Sequence, residues 1–213
     1  MTTESAGPAV PRSLFVFTTL YGGMTVLAGV LGAKQVALGP LAVEAGIFAF
    51  LLLVALSSAV AELHGRATAD RMVRFGFIPL ITAIILTYLV IQLPTDEGMY
   101  PPAQSAFPII LGQSWRLMAA GVIAYGVSMT LNVLIFSKLA SAGKALVAVR
   151  AAIASVLSQI VDTLIFITVA FLGVRPIAGL IAGQMLSKIV LSIVLVPLVI
   201  TALIALGRKL DRA

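Results

Sequence analysis

Arg150–Gly173, RAAIASVLSQIVDTLIFITVAFLG, is apolar enough to cross a bilayer and yet carries a carboxylate, Asp162, near its middle. An aspartate at the centre of a membrane helix costs roughly 2.5 to 3.5 kcal/mol on insertion scales, so such a residue faces a bundle interior or a watery cavity and has partners. Ser155, Ser158, Gln159, Asp162 and Phe166 fall at i, i+3, i+4, i+7 and i+11, which puts them along one stripe of a helix. The following apolar segment offers a partner of opposite sign. Lys188 stands as far after Arg175, in the intervening turn, as Asp162 stands before it. At 1.5 Å per residue each lies about 20 Å of helix from that turn, near the midplane of a hydrocarbon core about 30 Å thick. An antiparallel hairpin brings the two charges to one depth.

The rest of the chain agrees with a membrane setting. Hydrophobic residues make up 61% of the 213 and charged residues 10%, with a mean hydropathy of +1.14. An ordinary soluble domain is far from these values. The apolar residues come in long runs, which selects a helical bundle over a barrel, whose strands carry a weaker alternating signal. With no cysteine, disulfides and thiolate metal sites are excluded. The net charge of +6 is carried by residues flanking the apolar runs, so it reads as topology and anionic-lipid contact and not as a nucleic-acid patch.

Six spans are expected: Leu14–Leu31, Ala45–Ala61, Phe75–Leu93, Ser114–Phe136, the span containing Asp162, and Ile177–Leu206. Residues 1–13 read as a mobile cytoplasmic tail, 14–206 as one transmembrane domain and 207–213 as a basic cytoplasmic tail. AKQVALGPLAVEAG, with Lys34, Pro40 and Glu44, reads as a short connection, ELHGRATADRMVR as a charged one, and 94–112, with four prolines, as the longest loop. Six spans put both termini on one side. Ten basic residues from Arg12 to Arg212, Lys144 among them, then share that side, against Lys34, Arg116 and Arg175 on the other. By the positive-inside rule both ends are cytoplasmic. Gly179 and Gly183, a GxxxG, and the glycines of the first span are expected to pack helices.

Several residues within the spans have two readings. Asp162, Gln159 and Ser158 suit a polar ligand or a helix clamp, and Lys188 with Gln184 suits a ligand carbonyl or a pair with Asp162. Asn132 is either an interhelix hydrogen bond or a ligand contact. Arg116, beside Trp115, is an interfacial anchor by default and otherwise a ligand-capturing cation. Glu62 and Arg66 read as an interfacial charge pair rather than a gate. Phe166, Phe136 and Tyr125 suit stacking on a flat ligand or simple packing. SMTLNVLIF at 128–136 and SQIVDTLIF at 158–166 share S-x-x-x-[N/D]-x-L-I-F in antiparallel spans, either an inverted repeat or chance.

Enzyme chemistry has little support. No G-x-x-x-x-G-K-[ST] loop is present, and His64 is the sole histidine, outside the membrane, so no multi-histidine metal site exists. A Ser-His-Asp triad would need His64 to reach an intramembrane serine. No cofactor is expected. Transport, or a structural membrane subunit, remains.

Certain residues carry a resemblance. Glu62-Leu-His-Gly65, Arg116 at the opening of span four, VLIF at 133–136, Arg150 followed by SQIVDTLIF, and Gly183-Gln184 with Lys188 before Pro197 resemble the queuosine precursor transporter (VUT) family. The resemblance implies a six-helix, multi-pass inner-membrane carrier importing 7-cyano-7-deazaguanine or 7-aminomethyl-7-deazaguanine, distantly similar to the substrate-binding components of vitamin transporters. The chain departs from the family pattern at Ser58 and Asn132, where the family has aspartates, and at Ala151 and Gly29, where it has asparagines. A deazaguanine presents N1–H and an exocyclic amine side by side, a donor pair that one carboxylate accepts with two bonds. The expected site is therefore Asp162 on that pair, Gln159 or Gln184 on the remaining edge, Lys188 on O6, and an aromatic ring on the flat face. The partners expected are a small heterocycle and membrane lipid, with homo-oligomerisation left open. The alternative is a substrate-binding subunit of an ATP-driven complex, and a third reading is an assembly protein without a ligand.

Overall fold

The computed structural model describes residues 10–38, 41–113, 115–143, 146–174 and 176–212. The tail residues 1–9, Pro40, Ser114, Lys144 and Arg175 of the expectations above lie outside these. The elements run α1 Arg12–Leu31, β1 Gln35–Leu38, β2 Leu41–Glu44, α2 Gly46–His64, α3 Arg66–Phe75, α4 Phe77–Gln92, α5 Pro101–Leu111, α6 Trp115–Ala142, α7 Val147–Phe171 and α8 Ala178–Arg212. Among the described residues, six helical stretches are long and apolar enough to cross a membrane, α3 and α4 counting as one. Helices satisfy every backbone group internally, which is what a water-free bilayer core demands.

The chain departs from the simple six-span reading in four places. First, the connection after α1 is a two-stranded antiparallel hairpin, Gln35 opposite Glu44 and Val36 opposite Val43. Second, the charged segment after α2 is itself helical. Gly65, at φ +83°, breaks the chain between α2 and α3, a backbone state that L side chains rarely adopt. Ala69, Met72 and Val73 then face inward at helical spacing, leaving the arginines outside. Third, the long loop contains α5, which starts on Pro101 and Pro102, where a missing N–H costs nothing. Fourth, α1 and α8 extend past their apolar runs to Arg12 and Arg212, so Arg12 and Ser13 are helical and not part of a tail.

Helix α2 is the centre. Leu53–Val60 are consecutive buried residues, so it is enclosed on all sides, and α1, α3, α6 and α8 pack around it. Helix α7 packs on α6 and α8, while β2 leans on α8. Helix α4 has no buried residue, and Ile78, Ile81, Ile85 and Leu89 point outward, as suits a lipid-facing wall. Among the expected glycines, Gly32 lies against Gly46 of α2, and other close approaches use glycines not singled out. A Cβ on Gly76 would collide with Tyr125 and Tyr21, and one on Gly207 with Leu63 and Phe17. At Gly179 and Gly183 a Cβ would meet nothing within 4 Å. Among the described residues, nothing packs closely on the GxxxG of α8.

The three ends that meet near the termini are tied by polar contacts. Ser13 N–H donates to Asp211 Oδ1 (2.9 Å) and its hydroxyl to Asp211 Oδ2 (2.7 Å), while His64 Nε2 lies 2.7 Å from Ser13 Oγ. His64 therefore reaches a serine, at the first turn of α1 and not deep within a span. The order is wrong for hydrolysis, however. The hydroxyl sits between imidazole and carboxylate, and the same Nε2 faces both, with Asp211 at 3.9 Å. A relay requires the imidazole in the middle, using opposite nitrogens. The cluster clamps α1, α2 and α8 and supplies an acceptor to the N-terminus of α1.

Candidate functional site

Asp162 and Lys188 meet as their positions demand. Lys188 Nζ is 2.9 Å from Asp162 Oδ2, both side chains mostly buried, and Ser128 of α6 donates to Asp162 Oδ1 at 3.1 Å. The contact joins α6, α7 and α8 at one depth. Each carboxylate oxygen has two acceptor positions, so one remains on each after these bonds.

The pair forms part of the wall of a cavity of about 430 Å³. Ligand pockets are commonly roughly 300 to 1,000 Å³, mostly apolar with a few placed polar groups, and this one matches. Its lining comes from the half of the bundle opposite the chain termini: the C-terminal parts of α1 and α4, the start of α2, the first half of α6, and Asp162, Phe166 and Lys188. Thr25, Glu44, Thr87 and Gln113 add polarity. Gln113 Nε2 donates to the carbonyl of Gly29 at 3.0 Å, closing one edge.

Of the residues singled out in the sequence, Asp162, Lys188 and Phe166 line this space, with Tyr125, whose ring meets Phe77 edge-on at 4.9 Å. Gly29, one of the departures from the family pattern, lines it too, and the following residues are placed elsewhere. Gln184 donates to Glu44 Oε1 at 3.2 Å, so it holds a wall residue without being one. Gln159 is wholly buried behind the wall, and Ser158 turns its hydroxyl to the carbonyl of Ser155. Asn132 Nδ2 reaches Ser57 and Ser58 Oγ, both at 3.1 Å, as an interhelix bond. Two departures from the family pattern, Ser58 and Asn132, thus touch each other. Ala151 is buried in the apolar core. Arg116 donates to the carbonyls of Val169 and Leu172, each at 2.6 Å, and so caps the end of α7. Phe136 lies at the other end of the bundle, 4.9 Å beneath the Arg150 guanidinium. Glu62 pairs with Arg150 at 3.0 Å, and Arg66 with Asp70 at 3.3 Å, so the expected Glu62–Arg66 pair is replaced by two others. Arg66 sits across the Gly65 break, whereas Arg150 enters from α7.

Glu44 and Gln113 were missed because both sit in segments read as connections. The turn dipeptide Gly39-Pro40 between the short apolar runs VAL and LAV was the signal for a hairpin, and a hairpin places Glu44 at its base.

Comparison with known proteins agrees with this architecture. Residues 44–202 match the family described as "Putative vitamin uptake transporter". The chain belongs to this family. It is 28% identical over 158 residues to a protein named "Probable queuosine precursor transporter" from Bacillus subtilis (strain 168), covering 73% of this chain and 68% of that protein. No solved structure matches the chain significantly. It is thus a multi-pass membrane protein of a transporter family, and that assignment favours a small-molecule cargo over catalysis.

Proposed function

We propose that the protein imports a 7-deazaguanine, 7-cyano-7-deazaguanine or 7-aminomethyl-7-deazaguanine, across the inner membrane, with both termini cytoplasmic and the cavity serving as the outward-facing binding site. The observation that carries the reading is a buried carboxylate with spare acceptor positions in the wall of a cavity sized for a bicyclic heterocycle. Asp162 accepts N1–H and the exocyclic amine, Lys188 donates to O6, and Phe166 or Tyr125 covers the flat face. Cargo competes with the Asp162–Lys188 contact, so binding loosens α7 from α8 at that depth. Glu44 and Gln113 take the edge roles given above to Gln159 and Gln184, because they belong to the wall.

The test is uptake of labelled 7-deazaguanines by liposomes containing only this chain. Accumulation that vanishes in Asp162→Asn is expected. Uptake unchanged in Asp162→Asn would overturn the site. Binding without uptake, until an ATPase pair is supplied, would assign the chain the capture role in a larger complex instead.

A further inference from the structure

The half of the bundle nearer the termini contains polar atoms that the cavity does not use. Among the described residues, both amide atoms of Gln159, the hydroxyls of Ser155 and Ser192, and Asn132 Oδ1 are buried without a partner in the protein. In lipid each such group costs several kcal/mol unless something satisfies it. Alanine or leucine would fill these places at no such cost. Simple interhelix bonding does not account for them, since that role leaves atoms paired, as Asn132 Nδ2 is.

Their placement is ordered. Gln159 and Ser155 stand one and two turns before Asp162 on the same side of α7. Ser192 is one turn beyond Lys188, and Asn132 one turn beyond Ser128, the two residues that touch Asp162. Both of those helices run toward the termini from that point: α6 reaches Phe136 beneath Arg150, and α8 reaches Asp211 beside Ser13. These four residues therefore descend from the Asp162 level toward the face that bears the termini, whereas two other unpartnered atoms, Thr163 Oγ1 and Gln184 Oε1, lie at that level and on its cavity side. The descent ends at the Glu62–Arg150 pair, twelve residues or about 18 Å along α7 from Asp162. Arg150 is almost enclosed, with Glu62 the more open partner.

We propose that this column of Gln159, Asn132, Ser192 and Ser155 is the inner half of the translocation path, satisfied by water and by the polar edge of passing cargo, and that the Glu62–Arg150 pair closes its end. The proposal rests on the transport reading. An amide and hydroxyls both donate and accept, so the column suits a heterocycle edge bearing both kinds of group without trapping it as a full charge would.

The native chain has no cysteine, so single thiols report on water access without further change. The full chain, in liposomes, carries Ser155→Cys or Ser192→Cys, with lipid-facing Ile153→Cys as reference, and a membrane-impermeant maleimide is added to the face bearing the termini. Both column thiols are expected to react roughly tenfold faster than the reference, because the reactive thiolate is suppressed in apolar surroundings. Adding Glu62→Gln should speed them further, and 7-aminomethyl-7-deazaguanine should slow them. If Glu62→Gln does not fold, Glu62→Asp, which retracts the carboxylate from Arg150, takes its place. Thiols no faster than the reference, with the pair intact and with it broken, would overturn the proposal. Fast labelling without heterocycle uptake upholds the column and overturns the cargo assigned to it. Uptake with inert thiols overturns the column and leaves the cargo standing.

Discussion

Each half of the bundle holds one ion pair on α7, and the two pairs sit in different surroundings. Lys188–Asp162 lies in a cavity wall, with Ser128 the other hydrogen-bond partner of its carboxylate. Arg150–Glu62 lies against Phe136 and joins α7 to the fully enclosed α2. Near the termini, Ser13, His64 and Asp211 bind three helix ends together, and Phe17, Val54 and Val60 fill the interior. At the opposite end the hairpin, α4 and α5 stand back far enough to leave room for a ligand. Two charge pairs of almost equal length therefore have different settings: one faces the cavity, and the other ties α7 to α2 at the end of the proposed inner path.

The largest effect expected follows from breaking the open pair on one side. Lys188→Met leaves Asp162 buried without its cation and should cost about 3 to 5 kcal/mol in detergent unfolding, whereas Lys188→Met combined with Asp162→Asn should recover most of the loss. Equal losses in the single and double variants would mean that the pair matters through packing alone. Gly207→Val tests the closed end. The added side chain meets Leu63 and Phe17, so stability should fall by about 1 to 3 kcal/mol, with heterocycle binding retained. The smallest effect is reserved for Gly183→Ala, whose Cβ meets nothing. Thermal unfolding should move by less than about 0.5 kcal/mol, and a large shift would show that this outward face is packed against another chain.

The same division explains what was legible in the sequence. Six apolar runs announce six spans, because hydropathy and length alone set them, and Asp162 and Lys188 announce each other because equal distance from a shared turn fixes equal depth. Segments governed by finer signals were harder. The hairpin at Gln35–Glu44, α3 and α5 each lie in stretches where charge and proline read as loop, although the Gly39-Pro40 turn dipeptide, Ala69, Met72 and Val73 at helical spacing, and a double-proline start were all present. Glu44 and Gln113 were hidden with them. The partner of Glu62 could not be read either: Arg66 is four residues away in sequence, but the Gly65 break turns it aside and Arg150 arrives from a helix far along the chain. Polar residue type also could not separate wall from interior, so Gln159 and Asn132 looked like ligand contacts although neither lines the cavity.

The most direct measurement is equilibrium binding of 7-aminomethyl-7-deazaguanine to the purified chain and to Asp162→Asn, each shown to be folded. A hydrogen bond to a charged group contributes about 1.5 to 3 kcal/mol, so the variant should bind roughly 10- to 100-fold more weakly. Equal affinity for the two proteins would contradict the claim that this carboxylate reads the cargo.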